Sequence, residues 1–315
     1  MYRFVTYSSP LPEALPPLAE PGFLVNTVAQ LMAQSVDGCW VIDAVNETSS
    51  RVDARCAFFD ANSLAISPKQ QSFGSVEFTR ELPDNVLDGF LNALEKAVET
   101  AKLTGLRLVH YPRAYAPEQT DRLLAKLSSR GFVVADEQLN FHLKISKKSF
   151  TDGLHHSARR RLGKAKRAGL VARYWPNPDL DRVIAFLETS RSAQGYPLTM
   201  SADTLRHWLA TAPDDYLTFA VFDHDDTLAA LTVAVRMRAD ILYNFLPADN
   251  AAYRAYSPTI LLTECLYIFC QHHHYTFLDL GICVDEHRQP KPTLMRFKRN
   301  LGAEESAKWT WEQKW

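Results

Sequence analysis

Residues 216–246 read YLTFAVF, DHDDT, LAALTVAVRM, RAD and ILYNFL, three apolar runs parted by short polar turns. Rich in Val, Leu, Phe, Thr and Tyr and bounded by aspartates, these runs predict three antiparallel strands at Tyr216–Phe222, Leu228–Met237 and Ile241–Leu246. Downstream the pattern alternates: a helix at Ser257–Gln271, a strand at Thr276–Leu280, a helix at Thr293–Leu301 and a strand at Ser306–Trp311. Upstream lie a strand at Val171–Trp175 and helices at Leu180–Gln194 and Ala202–Ala210.

The first half repeats this order. A strand at Tyr2–Tyr7 precedes a proline-rich loop (Pro10, Pro12, Pro16, Pro17, Pro21) and a helix near Phe23–Gln34. Short runs at Cys39–Val45, Arg55–Phe59 and Ser75–Thr79 suit an antiparallel meander. An amphipathic helix at Asp84–Lys102, a buried strand at Leu106–Tyr111 and a helix at Glu118–Arg130 ending at Gly131 follow, and two more strands fill Phe132–Ile145. A shift of 171 residues aligns Leu123, Leu124 and Gly131 with Leu294, Met295 and Gly302, and Leu106 with Phe277. One fixed offset with matched element order argues for duplication, with domains at 1–148 and 149–315.

With 46% apolar and 23% charged residues, the 315-residue chain is neither disordered nor fibrous. Its net charge of −1 gives no bulk attraction to nucleic acid, and no DNA partner is expected. No run of 18 apolar residues and no signal peptide occur, and Cys39, Cys56, Cys265, Cys270 and Cys283 lack a Cys-x-x-Cys spacing, so a reduced cytoplasmic chain is expected. The charge is segregated: Ser146–Trp175 carries +8 and the remainder −9. Within that window Leu154, Ala158, Leu162 and Ala165 form the apolar stripe of a short helix, Thr151–Gly169. Its basic face is either simply solvated or an anion-binding surface that includes Arg160, Arg161 and Lys164.

Strand, two helices, three antiparallel strands, helix, strand, helix and a terminal pair is the element order of the GNAT acyltransferase fold. The fold class is accordingly α/β (α+β), two tandem GNAT-like domains, each a mostly antiparallel sheet flanked by helices. The basic helix, Tyr243-Asn244-Phe245, the segment Tyr253–Leu262, Phe277-Leu-Asp-Leu-Gly281 and Phe297-Lys-Arg-Asn-Leu-Gly302 together resemble the peptidoglycan-bridge aminoacyltransferases, the FemAB-like branch, over about residues 155–303. The resemblance implies transfer of an acyl or aminoacyl group to an amine of a cell-envelope precursor, small or lipid-linked. The donor it implies is acyl-CoA or aminoacyl-tRNA, with no tightly bound cofactor. Trp175–Tyr216 is filled by two ordinary helices, which leaves no room for the coiled-coil arm that some members insert. Two other readings stand beside this one: a coenzyme A dependent N-acetyltransferase of a small amine or amino sugar, and a non-catalytic binding protein on a degenerate tandem scaffold.

Acyl transfer to an amine needs a deprotonated nucleophile, donors for the developing oxyanion and a proton for the leaving group. Lys298 is the first catalytic candidate, expected at a rim beside inward-facing Leu294, Phe297 and Leu301, where its replacement leaves folding intact. Phe297 is a candidate substrate contact, though a core role suits it equally. Asp279 sits in an apolar strand, where a carboxylate is costly unless paired or facing a cleft, and its counterpart at the 171 offset is Leu108. Tyr243 is a third candidate, as proton donor or substrate contact. Ser257-Pro258 reads as the N-cap and first residue of a helix, so Arg254, Tyr256, Ser257 and Thr259 are candidates for holding the donor's anionic part. Ordinary GNAT enzymes have a glycine-containing turn there for the coenzyme A pyrophosphate; this segment has no glycine, and Pro258 removes one N–H. His272, His273, His274 and His287 with Cys265, Cys270 and Cys283 fit no zinc spacing, and no metal is expected.

Overall fold

A computed structural model describes residues 1–34, 38–193, 195, 198–285 and 288–315. The chain forms two units, one made of residues 1–139 and 306–315, the other of residues 140–305. This differs from the expected division at 148/149, because the last ten residues complete the first unit and residues 140–148 belong to the second.

Along the chain β1 (Tyr2–Ser8) leads to α1 (Val28–Gln34), β2 (Cys39–Asn46), β3 (Arg51–Ala61), β4 (Leu64–Ser67), the two-residue β5 (Glu77–Phe78), α2 (Asp84–Thr100), β6 (Gly105–Val109), α3 (Pro117–Ser129) and β7 (Val133–Lys144). Two expectations are corrected here. The meander's third strand is Leu64–Ser67, reached through Asn62 and Ser63, both left-handed, whereas only Glu77–Phe78 of Ser75–Thr79 pairs. Phe132–Ile145 holds one long strand, not two.

The chain continues with α4 (Phe150–Gly153), α5 (His156–Arg167), β8 (Val171–Tyr174), α6 (Leu180–Ser192), α7 (Ala202–Thr211), β9 (Tyr216–Phe222), β10 (Leu228–Arg238), β11 (Ile241–Asn244), β12 (Ala248–Asp249), α8 (Pro258–His272), β13 (Phe277–Ile282), α9 (Pro292–Asn300) and β14 (Glu304–Lys314). The expected helix over 151–169 is broken at Leu154. Ser149 and Asp152 form a capping box on α4, and the His155 side chain caps α5. Among the described residues, no helix is long and apolar enough to cross a membrane.

Strand order exposes the duplication. The first unit runs β1-β2-β3-β4-β6-β14 and the second β8-β9-β10-β11-β13-β7. In each, one parallel pair interrupts antiparallel neighbours: Ala65↔Leu106, Ile66↔Arg107 and Ser67↔Leu108 in the first, Ile241↔Phe277, Leu242↔Leu278 and Tyr243↔Asp279 in the second. Counted from the first pair of each ladder, the parallel partners β4 and β11 lie 176 residues apart, whereas β6 and β13 keep the 171-residue offset. The glycines it aligns, Gly131 and Gly302, both end helices at positive φ (88° and 82°), a conformation that side chains with a Cβ resist.

Leu106, Leu108, Phe90, Leu94, Leu123, Leu127 and Trp311 lie in the first unit's core. Beside them His110 is fully enclosed, Nδ1 against Ser75 Oγ at 3.0 Å and Nε2 against Thr120 Oγ1 at 3.1 Å. Burial, aided by the charge of Lys308, pushes this imidazole down to about 3. Between its ordinary value of about 6.5 and that folded value, the unfolded chain binds a proton that the native chain refuses, so stability falls on acidification by about 1.4 kcal/mol per pH unit. Above that window the residue contributes no pH dependence. His110→Gln is expected to flatten this part of the acid slope when urea unfolding is compared at pH 7 and pH 5; parallel slopes for wild type and variant would contradict the assignment.

Candidate functional site

In the second unit, the parallel pairing of β11 with β13 ends at Tyr243↔Asp279. On its other side β13 pairs antiparallel with β7, Asp279 opposite His142, and the register slips between Asp279 and Gly281. Cross-strand neighbours share a face, so Tyr243, Asp279 and His142 form one row. Gly281 has φ +73°, where a side chain is strained, and a Cβ there would press on the Tyr243 ring at 3.2 Å and its hydroxyl at 3.3 Å. The slip turns the Gly281 N–H onto Asp279 Oδ1 at 2.7 Å, and the same oxygen accepts from Asn140 Nδ2 at 2.7 Å. Asp279 is 2% exposed, and these donors offset the cost of burying its charge.

Lys298 is not at a rim. It is the buried residue of α9, 6% exposed, and Nζ donates to the carbonyls of Leu280 (2.5 Å), Gly281 (2.9 Å) and Ile282 (2.9 Å). The expectation failed because α9 turns two adjacent positions inward: Leu294 and Phe297 pack partly buried on the core with Leu301, while Lys298 reaches the end of β13. Phe297 thus serves the core. Burial lowers the Lys298 pKa, opposed by the Cys283 thiol, with which it shares a hydrogen bond, and by Asp279. An ammonium has three N–H donors, and three backbone carbonyls receive them. Lys298 therefore clamps the strand end and supplies a fixed positive charge there.

Sequence reading missed His142 and Asn140. Both are 3% exposed, and Asn140-Phe141-His142-Leu143 is an apolar strand end broken by polar residues at alternate positions, the one available signal. Burial lowers the His142 pKa, with Lys144 acting in the same direction and Asp279 and Glu304 against it. Its Nδ1 is buried and has no hydrogen-bond partner among the described residues.

The donor-binding candidates form a second cluster, at the start of α8. Ser257 is left-handed (φ 56°) and makes no side-chain cap, which corrects its expected N-cap bond. Arg254 is held by Asp249 at 3.1 Å, and the half-buried Thr259 accepts Thr263 Oγ1 at 2.8 Å through its carbonyl. Lys164, on α5, donates to the Ala255 carbonyl at 2.7 Å and lies 5.3 Å over the exposed Tyr256 ring. Arg160 and Arg161 are exposed on the same helix and make no ion pair or hydrogen bond among the described residues, unlike Lys166, which pairs with Glu264 at 2.7 Å. Cys265 and Cys270 lie within α8 as free thiols raised by burial, and Cys283 is buried beside Lys298; His287 falls outside the described residues.

The first unit lacks this chemistry at matching positions. Leu106 and Leu108 pack with α2 as Leu278 and Leu280 pack with α8, so by sheet face the places of Asp279, His142 and Tyr243 are taken by Arg107, Glu312 and Ile66, and the 171 offset along α3 and α9 puts Leu127 at that of Lys298.

No family model and no curated protein sequence matches the chain. Solved structures do match in fold. FemX superposes with a TM-score of 0.70 at 12% identity, covering 94% of this chain and 93% of FemX. The C-terminal domain of an Agrobacterium fabrum protein described as a lysylphosphatidylglycerol synthetase gives 0.60 at 10% identity, covering 86% and 83%. A tandem GNAT protein from the clavulanic acid biosynthesis pathway gives 0.52 at 13%, covering 88% and 83%. The fold is thus the tandem GNAT-like fold that FemX shares.

Replacing Lys298 by Ala orphans three carbonyls, and each buried unsatisfied group costs about 1–3 kcal/mol. We predict a loss of at least ~2 kcal/mol in urea unfolding, unrelieved by Lys298→Met, which keeps the stem but donates nothing. A loss within the ~0.5 kcal/mol of a surface change would contradict the clamp.

Proposed function

We propose that the chain is an N-acyltransferase that moves an acyl or aminoacyl group to an amine of a cell-envelope precursor, with the chemistry in the second unit. The observation that carries this reading is the polar row Tyr243–Asp279–His142 at the end of the β11/β13 pair, half-buried at Tyr243 and buried at Asp279 and His142, together with the Lys298 charge behind it. On the equivalent sheet face of the first unit stand instead Ile66 and the Arg107–Glu312 ion pair, whose polar groups meet each other directly. Tyr243 and Asp279 receive the acceptor amine in this reading. Lys298 acts on the developing oxyanion by its field rather than by direct contact, since its donors are occupied.

The donor's anionic part is assigned to the α8 start and the basic face of α5. Lys164 brings a positive charge onto the Ala255–Tyr256 turn, and Arg160 and Arg161 leave two further cations uncommitted there. The turn has no glycine, Pro258 offers no N–H and Arg254 is occupied by Asp249, which favours an aminoacyl-tRNA or another polyanionic donor over coenzyme A held in the standard way. The FemX-like fold and a neighbour described as a synthetase of lysylphosphatidylglycerol, an aminoacylated lipid, support an envelope acceptor. Five free thiols suit a reducing, cytoplasmic setting.

Thermal unfolding with a panel of acyl-CoA thioesters, aminoacyl-tRNAs and nucleotide-sugar precursors tests the reading. A true ligand at 100 times its Kd adds about 2.7 kcal/mol, and the stabilising donor should then transfer its acyl group to an amine. Stabilisation by acetyl-CoA alone would favour the small-amine acetyltransferase, and binding without transfer the non-catalytic protein. Neutralising Arg160, Arg161 and Lys164 together is expected to weaken donor binding and flatten its salt dependence, because each lost phosphate contact removes a counterion-release contribution. Equal salt slopes for the two proteins would make the basic face a solvated surface only.

A further inference from the structure

We propose that His142 is the base that takes the proton from the attacking amine, through its Nδ1 atom. The inference rests on the acyltransfer reading and adds to it a residue from a different strand.

The geometry comes first. His142 lies directly across from Asp279 on β7, in the row that Tyr243 completes from β11. Its ring is 3% exposed and meets Phe277 edge to face at 5.1 Å. In that enclosure Nδ1 is left without a partner among the described residues. A buried polar atom without a hydrogen-bond partner is costly, and packing alone gives no return for that cost. The equivalent sheet face of the first unit shows what a structural role looks like there: Glu312, opposite Arg107, pairs with it at 3.1 Å. Nδ1 is the atom of the row that still lacks a hydrogen to hold, and a substrate N–H supplies one.

The neighbouring groups leave this task to the imidazole. The three Lys298 donors are committed to carbonyls, and Asp279 Oδ1 already accepts from Asn140 and Gly281. The charged and titratable groups that face His142 are Asp279 from β13, Glu304 from β14 and Lys144 on its own strand, with the Tyr243 phenol completing the row from β11. Enclosure outweighs the two carboxylates, so the ring stays neutral near pH 7 and, as the Nε2–H tautomer, presents a lone pair at Nδ1.

The step balances. The amine nitrogen forms a bond to the acyl carbon, the carbonyl electron pair moves onto oxygen, and the N–H proton passes to Nδ1. As the tetrahedral species collapses, the bond from carbon to the ester oxygen or thioester sulfur breaks, its electron pair leaves with that atom, and the imidazolium returns the proton to it. The products are the amide and the free alcohol or thiol, and His142 is neutral again.

Two measurements on the full chain test this. Nitrogen-15 NMR of histidine-labelled protein, with the His142 ring assigned through its backbone, is expected to show a neutral Nε2–H ring at pH 7; an Nδ1–H tautomer or a protonated ring would overturn the proposal whatever the variants do. With a donor that wild type transfers, His142→Gln is expected to lose about 100-fold in kcat with KM changed less than twofold, and to lose the acidic limb of the kcat/KM profile. A loss below tenfold, or an acidic limb that persists at the same midpoint, would overturn it while leaving the acyltransferase reading in place. Should wild type transfer no acyl group from any donor of the panel, that reading fails and this inference with it.

Discussion

Three consecutive carbonyls at the end of β13, those of Leu280, Gly281 and Ile282, converge on one ammonium, and the rest of the second unit's site is arranged around that convergence. Regular strand geometry points successive carbonyls in opposite directions. Bringing three of them to Lys298 requires the break that Gly281 provides at φ +73°. The same break ends pairing with β11 at Tyr243, slips the register against β7 and sends the Gly281 N–H back to Asp279. One buried cation and one glycine thus hold open a strand end that would otherwise continue its ladder. A buried cation is expensive, and removing either partner exposes the full cost, so the arrangement acts as a rigid clamp.

Duplication supplies an internal control for which residues serve the fold and which serve the site. Strand order and the ends of α3 and α9 repeat between the units, yet on equivalent sheet faces Asp279, His142 and Tyr243 correspond to Arg107, Glu312 and Ile66, and Lys298 corresponds to Leu127. Arg107 and Glu312 satisfy each other as an ion pair, whereas His142 Nδ1 is left without a partner among the described residues. The first unit spends its buried polarity differently, in closed networks such as His110 with Ser75 and Thr120, and Asp43 with Arg55, where each partner is met from within.

Much of this could be read from the chain itself. Apolar periodicity located most helices and the long strands within a few residues, and the 171 offset, drawn from a handful of leucines and glycines, matches the ends of α3 and α9 but not the parallel partners β4 and β11, which lie 176 apart. Short elements escaped: Leu64–Ser67 has only four residues and follows a turn of two left-handed polar residues, so no window of useful length contains it. The fate of the terminal strands also escaped, because local pattern does not say that residues 306–315 complete the first unit. At the site, Asp279, Tyr243 and Lys298 were visible as polar residues in apolar surroundings or through resemblance, but the burial of Lys298 depends on carbonyls about 17 positions away. His142 carried almost no local signal, since a polar residue near the end of a strand is ordinary and only the register with Asp279 gives it meaning.

The most direct measurement of the account is a crystal structure of the protein with a non-transferable donor analogue, an amide-linked aminoacyl-nucleotide or a non-hydrolysable acyl-CoA. The account predicts density for the acyl group at the Tyr243–Asp279–His142 row, with the Lys298 ammonium still on its three carbonyls and the donor's phosphates toward Lys164 and the α8 start. Density for the acyl group in the first unit beside Arg107 and Glu312, with the second unit's row empty, would contradict it.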